Sequence, residues 1–273
     1  MGRRAGWVPN QHGAWAMLAV PVLVGALVSG VTWRHGLLLV TWLVAYLAFF
    51  AAGLWLRSGR KVRYLPPVRA YAVAAALLGA VLLLTAPGLL RWAPVYAVLL
   101  ATSLASSVRR TDRGWLNDTV TVLAATLMTV VAAGLGTRAD PTATALLGVG
   151  TGADRLVPPG AADPDVWLAA GLLTAYFLGT VPYVKTLIRE RGRRSVLAVS
   201  IGFHAVLAVA ALGWCVTSGA DPEVVAVAVV AVGLLARAVL VPRRRPWPSA
   251  KAIGLGEVAA TVVVSVTTLA VTL

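Results

Sequence analysis

The residue types able to do chemistry concentrate in Gly179 to Ser195, read GTVPYVKTLIRERGRRS. Lys185 and Arg189 are four apart, so a helix puts them on one face, with Thr186 and Glu190 in the next row. Pro182 is expected to kink or loosen the helix just before them. Lysine, arginine and glutamate this close to an apolar run are costly unless they reach interfacial water or a polar cavity. Such a cluster, with Arg191 beside it, is either a stop-transfer flank that sets topology or an anion-binding group. Further polar residues stand at or inside the ends of other apolar runs. Gln11 and His12 precede the first run, in VPNQHGAW, as a helix-capping and interface segment or, on the functional reading, with His12 as a titratable group or a phosphate ligand. Asn117 and Asp118 open the fifth run, in RRTDRGWLNDTV; they are helix caps, partners for the adjacent arginines, or a lone metal ligand. His204 lies about nine residues, on the order of 13 Å, inside the seventh run and should face other helices. Glu257, six residues after Lys251, needs a cationic partner, for which Lys185 and Arg189 are candidates. Gathered, these groups would line a pocket whose guest is an anion: Lys185, Arg189, Glu190, Arg191, Asn117, Asp118, Gln11 and Lys251 for binding, and His12, His204 or Glu257 for proton chemistry. A phosphate or diphosphate on a lipid tail suits both the charge and the surroundings. Independent interfacial charges with no shared pocket are the alternative.

The elements that must position them are membrane helices. The chain has 273 residues, 59% hydrophobic, with a mean hydropathy of +0.83. Apolar runs of about 18 residues or more recur throughout, so the fold class is all-α, a polytopic bundle in one membrane domain, 1–273. About nine spans are expected: Ala14 to Val31, Gly36 to Leu56, Val68 to Leu90, Trp92 to Ser107, Asn117 to Leu135, Val166 to Ile188, Val196 to Thr217, Glu223 to Val241 and Ile253 to Leu273. They are rich in Gly and Ala, which let helices pack closely in lipid. The connections alternate in charge: 20 of the 24 Lys and Arg fall in one set and 4 in the other. That asymmetry predicts a cytoplasmic N-terminus and an extracytoplasmic C-terminus in the cell membrane. It also explains the net charge of +14 without nucleic acid, the partners being membrane lipids. The extracytoplasmic loop at about 136–165, rich in Gly, Ala, Thr, Asp and Pro, is expected to be flexible. The single cysteine, Cys215, excludes a disulfide within the chain, and no CxxC, HExxH or Walker loop signals a metal or nucleotide cofactor.

PNQHGAWAMLAVP, RRTDRGWLND, YVKTLIRERG with a histidine in the next span, and IGLGE near the end resemble the YwiC-like family of bacterial membrane proteins. The resemblance covers nearly the whole chain and implies a relative rather than an activity. More distantly, nine helices with cytoplasmic loops after the second and sixth spans are similar to UbiA-type prenyltransferases, which hold a prenyl diphosphate through magnesium on two Asp-rich motifs. Here those loops read LRSGRKVRYLPPVR and KTLIRERGRR, with no acid in the first and only Glu190 in the second. Magnesium-dependent prenyl transfer is therefore not expected. The leading expectation is binding of a prenyl-phosphate or similar anionic lipid at the cytoplasmic face. A proton-coupled transporter, with His204 and Glu257 on its path, and a non-catalytic structural subunit are the alternatives.

Overall fold

A computed structural model of the protein describes residues 6–9, 12–139, 145–146 and 156–273, for residues 12–14 the backbone alone. The described residues form helices and turns, with no strand among them. In chain order the helices are α1 (His12–Ser29), α2 (Trp33–Arg57), α3 (Leu65–Thr85), α4 (Ala93–Val108), α5 (Trp115–Thr126), α6 (Met128–Ala133), α7 (Pro164–Leu187), α8 (Arg194–Thr217), α9 (Pro222–Leu240) and α10 (Ala250–Thr272). With α5 and α6 taken as one rod, eight are long and apolar enough to cross a membrane, and Trp15–Ser29 is a shorter apolar helix. A 24-residue helix such as α7 is about 36 Å long, enough for a hydrocarbon layer of about 30 Å.

Local chemistry sets the helix ends. Pro66 and Pro67 fall in the first turn of α3, where a missing N–H costs nothing, so the helix begins before Val68. Its far end comes at Thr85, because Pro87 starts a separate 3₁₀ segment, Pro87–Trp92. Asp163 Oδ1 accepts from the Asp165 N–H at 2.9 Å ahead of α7. Ser249 Oγ accepts from the Ala252 N–H at 3.2 Å and caps α10. Helix α7 runs through Pro182 to Leu187.

The chain divides into two compact units, residues 1–170 and 171–273, with the boundary inside α7. In the first, α1 packs on α6 and α2 on α3. Val22, Val24, Ala51, Val130 and Leu135 are fully buried there. Gly25 makes the α1–α6 approach possible: a Cβ at this position would lie 2.2 Å from the Thr129 carbonyl oxygen. Gly30, at φ +88°, turns the chain between α1 and α2 against Thr137. His35 locks the start of α2. Its Nδ1 accepts from the Thr32 N–H at 2.9 Å, which fixes the Nε2–H tautomer, and Nε2 donates to the Ala132 carbonyl at 2.9 Å. The described parts of the 136–165 loop are tied down: Trp92 Nε1 donates to Pro159 O at 3.1 Å, and Arg138 to Val28 O at 2.9 Å.

In the second unit, α8 packs on α9 and α9 on α10. One apolar cluster joins Tyr183, Leu187, Ala238 and Ile253; another joins Ala211, Val227 and Ala228. Outward-facing residues are also apolar, Val206, Val209, Val216, Val229, Val262 and Val266 among them. A surface of this kind is stable only when lipid covers it.

Candidate functional site

The polar centre of the second unit is an ion pair inside the helices. Arg237 Nη1 donates to Glu257 Oε1 at 2.7 Å, with the two side chains 16% and 14% exposed. Arg237 lies three residues from the end of α9, about 5 Å, and Glu257 seven residues into α10, about 10 Å. The Arg237 guanidinium sits 4.2 Å from the ring centre of Tyr183, a cation–π contact in a desolvated place. Tyr176, two helical turns from Tyr183 on α7, shares its phenolic proton between Glu257 O at 3.1 Å and Thr261 Oγ1 at 2.9 Å. Thr180 lies close to the Glu257 carboxylate but outside hydrogen-bonding geometry.

Several polar atoms of this centre remain uncommitted. Among the described residues, buried Arg237 Nε and Nη2, Glu257 Oε2, Thr180 Oγ1 and Ser200 Oγ find no hydrogen-bond partner. A guanidinium that uses one nitrogen and leaves two buried and free is unusual, because an unmatched buried donor is costly. Nε and Nη2 form one edge of the guanidinium, the edge that by its chemistry can engage a carboxylate or phosphate with two parallel hydrogen bonds.

His204 stands at the neighbouring level of α8. Its Nδ1 lies 2.7 Å from Ser200 O. A carbonyl only accepts, so Nδ1 carries the proton and Nε2 of the neutral ring is an acceptor. Nε2 lies beside Gly179, where a Cβ would approach to 3.1 Å. The ring also meets Tyr183 edge-on at 6.4 Å and Phe203 at 6.1 Å.

From His204 and Tyr176 a cleft of about 210 Å³ extends away from the ion pair. Leu207, Trp214, Ala231 and Val264 contribute to its lining, which is almost wholly apolar. Its size and character suit a hydrocarbon chain.

The expected site residues are distributed as follows. His204 and Glu257 do fall in one neighbourhood, but Arg237 brings them together. The partner of Glu257 is Arg237, not Lys185 or Arg189 as the sequence suggested. Lys185 is half-buried near the end of α7, while Arg189, Arg191 and Lys251 are exposed and do not line the cleft. Glu190 pairs with Arg193 at 2.6 Å on the surface. Arg191 donates to the Leu187 carbonyl and lies 5.5 Å from the ring of Trp247; Arg245 approaches the same ring at 4.4 Å. Asn117 and Asp118 belong to the first unit. Asn117 accepts from Ser103 Oγ at 2.5 Å and donates to Asp112 O at 2.8 Å. Asp112 in turn holds Arg57 at 3.2 Å and accepts from Ser107 Oγ at 2.5 Å. Asp118 sits in the first turn of α5, where the helix dipole favours an acid. Gln11 and the His12 side chain lie outside the described residues. Among the described residues no three of His, Cys, Asp and Glu gather as a metal site.

Sequence reasoning passed over Arg237, Tyr176, Tyr183 and His35. A signal for the first three existed. Tyr176, Thr180 and Tyr183 follow an i, i+4, i+7 stripe, and Arg237 interrupts an apolar run six residues before the Arg243–Arg245 cluster.

Helices of this length and hydropathy, apolar on the outside and ion-paired within, define a multi-pass α-helical membrane protein. Residues 8–133 match the family model described as YwiC-like protein, so the chain is YwiC-like over the stretch that holds VPNQHGAW and RRTDRGWLND. It is similar to "Uncharacterized protein YwiC" of Bacillus subtilis (strain 168), 29% identical over 201 residues, 73% of this chain and 74% of that one. It is also similar to an "Uncharacterized protein" of Haemophilus influenzae (strain ATCC 51907 / DSM 11121 / KW20 / Rd), 26% identical over 207 residues, 74% and 75% of the two chains. No solved structure matches the chain.

Proposed function

We propose that this multi-pass protein resides in the cell membrane, N-terminus in the cytoplasm and C-terminus outside, and binds an amphiphile with an anionic, phosphate-type head. The head engages the free Nε and Nη2 of Arg237, and the hydrocarbon chain, a prenyl chain for example, occupies the apolar cleft beyond Tyr176 and His204. The observation that carries this reading is a buried arginine with two uncommitted donor nitrogens, one helical turn from Leu234 in the wall of an apolar cleft. Glu257 keeps Arg237 oriented while the site is empty of ligand. His204 Nε2 can accept a proton from a head group or hold its hydroxyl. The exposed Arg189, Arg191 and Lys251 attract anionic heads towards this end of the helices without holding them. The orientation rests on the distribution of the 24 Lys and Arg between alternate connections.

The test compares a prenyl monophosphate with the prenyl alcohol of equal length as ligands of the purified protein, by native mass spectrometry in detergent. The wild type should retain the phosphate in preference to the alcohol. Arg237→Gln should abolish the preference, and Ala231→Phe, which fills the cleft, should weaken both. Equal retention of phosphate and alcohol by the wild type refutes the reading.

A further inference from the structure

The first unit holds a second cleft, of about 270 Å³, walled by Trp42, Tyr46, Phe49 and Tyr96. Its whole lining, from Leu18 to Ala124, falls within the YwiC-like stretch, whereas the cleft of the second unit lies outside it. The two differ in kind. The second unit's cleft is walled mainly by aliphatic residues, with Tyr176, His204 and Trp214 among them; this one presents four aromatic rings among twelve lining residues, two of them paired edge to face, Trp42 with Tyr96 at 6.1 Å. Aromatic walls favour a flat conjugated guest over a flexible chain, since rings gain from offset and edge-on contacts beyond the area they bury.

The hydroxyl protons narrow the guest further. Tyr96 donates to Ala124 O at 3.1 Å, Thr121 to Asn117 O at 2.7 Å, and Ser103 to Asn117 Oδ1 at 2.5 Å. Each of these lining groups has its proton committed within the protein. One hydroxyl is left: Tyr46 lines the cleft, and no described residue accepts its proton. Trp42 Nε1–H also lacks a partner among the described residues, but it is buried out of reach of the cleft. A free phenolic O–H in an aromatic cleft suits a ring that carries an oxygen acceptor. We infer that this cleft binds a membrane-soluble conjugated ring bearing a carbonyl acceptor, a quinone-type compound, with the carbonyl directed to the Tyr46 hydroxyl. The volume accommodates one or two fused rings and the start of a side chain. The proposal is independent of the amphiphile site of the second unit.

The experiment titrates full-length protein in nanodiscs with a decyl-substituted benzoquinone and follows quenching of tryptophan fluorescence. Decylbenzene, which has the ring and chain but no carbonyl, is the competitor. The expected result is saturable quenching that decylbenzene does not displace at equal concentration. Tyr46→Phe should raise the half-saturation concentration about fivefold, as the loss of one neutral hydrogen bond implies. Ala45→Phe should remove the saturable phase, and Ala231→Phe in the second unit should leave it unchanged. Quenching that rises linearly in the wild type, or full displacement by decylbenzene, overturns the proposal. So does a Tyr46→Phe titration that superimposes on the wild type, a variant conservative enough to leave folding intact.

Discussion

Removing the arginine from the Arg237–Glu257 pair puts the electrostatic argument at its greatest risk. The two charges are 2.7 Å apart, both less than one-fifth exposed, and flanked by Tyr183 and Tyr176. Breaking such a pair from one side strands the other group, at a cost of about 3–5 kcal/mol, whereas replacing both with apolar residues of similar volume is close to neutral. Arg237→Met and Glu257→Leu should therefore each destabilise by about 3 kcal/mol, and the double variant by about 1 kcal/mol or less. At about 2–4 °C per kcal/mol, each single change lowers the unfolding midpoint by roughly 6–12 °C, and the double change recovers most of it. Circular dichroism at 222 nm, with the protein in nanodiscs of fixed lipid composition, reads all four members of the cycle. Additive losses, with the double variant worse than either single, would falsify the claim that these residues act as one neutralised unit.

Gly25→Ala would place a methyl group 2.2 Å from the Thr129 carbonyl oxygen, so α1 and α6 must separate; a loss of about 1–3 kcal/mol is expected in the same thermal assay, and no loss would mean that the approach is not a tight one. His35→Leu leaves the Thr32 N–H and the Ala132 carbonyl unmatched, and should cost about 1–3 kcal/mol and speed hydrogen exchange at the start of α2; unchanged exchange there would contradict the bridge. Ser103→Ala frees Asn117 Oδ1 and should lower the midpoint by only a few degrees, because Asn117 keeps its bond to Asp112 O; a collapse of the first unit would show that the Ser103 contact was undervalued.

The helices were legible because a membrane span announces itself as an uninterrupted apolar run. Their ends were less so. The third span was expected to reach Leu90, and the structure stops it at Thr85, since Pro87 hands the chain to a 3₁₀ turn. The fifth, expected to run from Asn117 to Leu135, is interrupted at the single residue Leu127, which separates α5 from α6, and ends at Ala133. The site was harder. That Glu257 needs a cation follows from its depth, but which cation depends on how α9 and α10 lie against each other. Arg237 looked like one more member of the basic connection that follows it, and three residues of helix separate those two meanings. The uncommitted nitrogens of Arg237 and the aromatic walls of the first cleft are properties of three-dimensional packing, with no local signature. Lys185, Arg189 and Glu190 drew attention by their density in the sequence, yet dense surface charge mostly reports where a helix leaves the lipid.

The ion pair bears on how the protein is made. During biogenesis a lone arginine or carboxylate entering the bilayer within a single helix carries a penalty of about 2.5–3.5 kcal/mol at the centre, less near the edge. Arg237 and Glu257 sit on consecutive helices joined by the short stretch 241–249, so a hairpin delivered to the membrane in one step presents a neutral dipole instead of two separate charges. Uncoupling the two, for instance by lengthening that connection, should leave α10 trailing in the cytosol as a fraction of the newly synthesised chains.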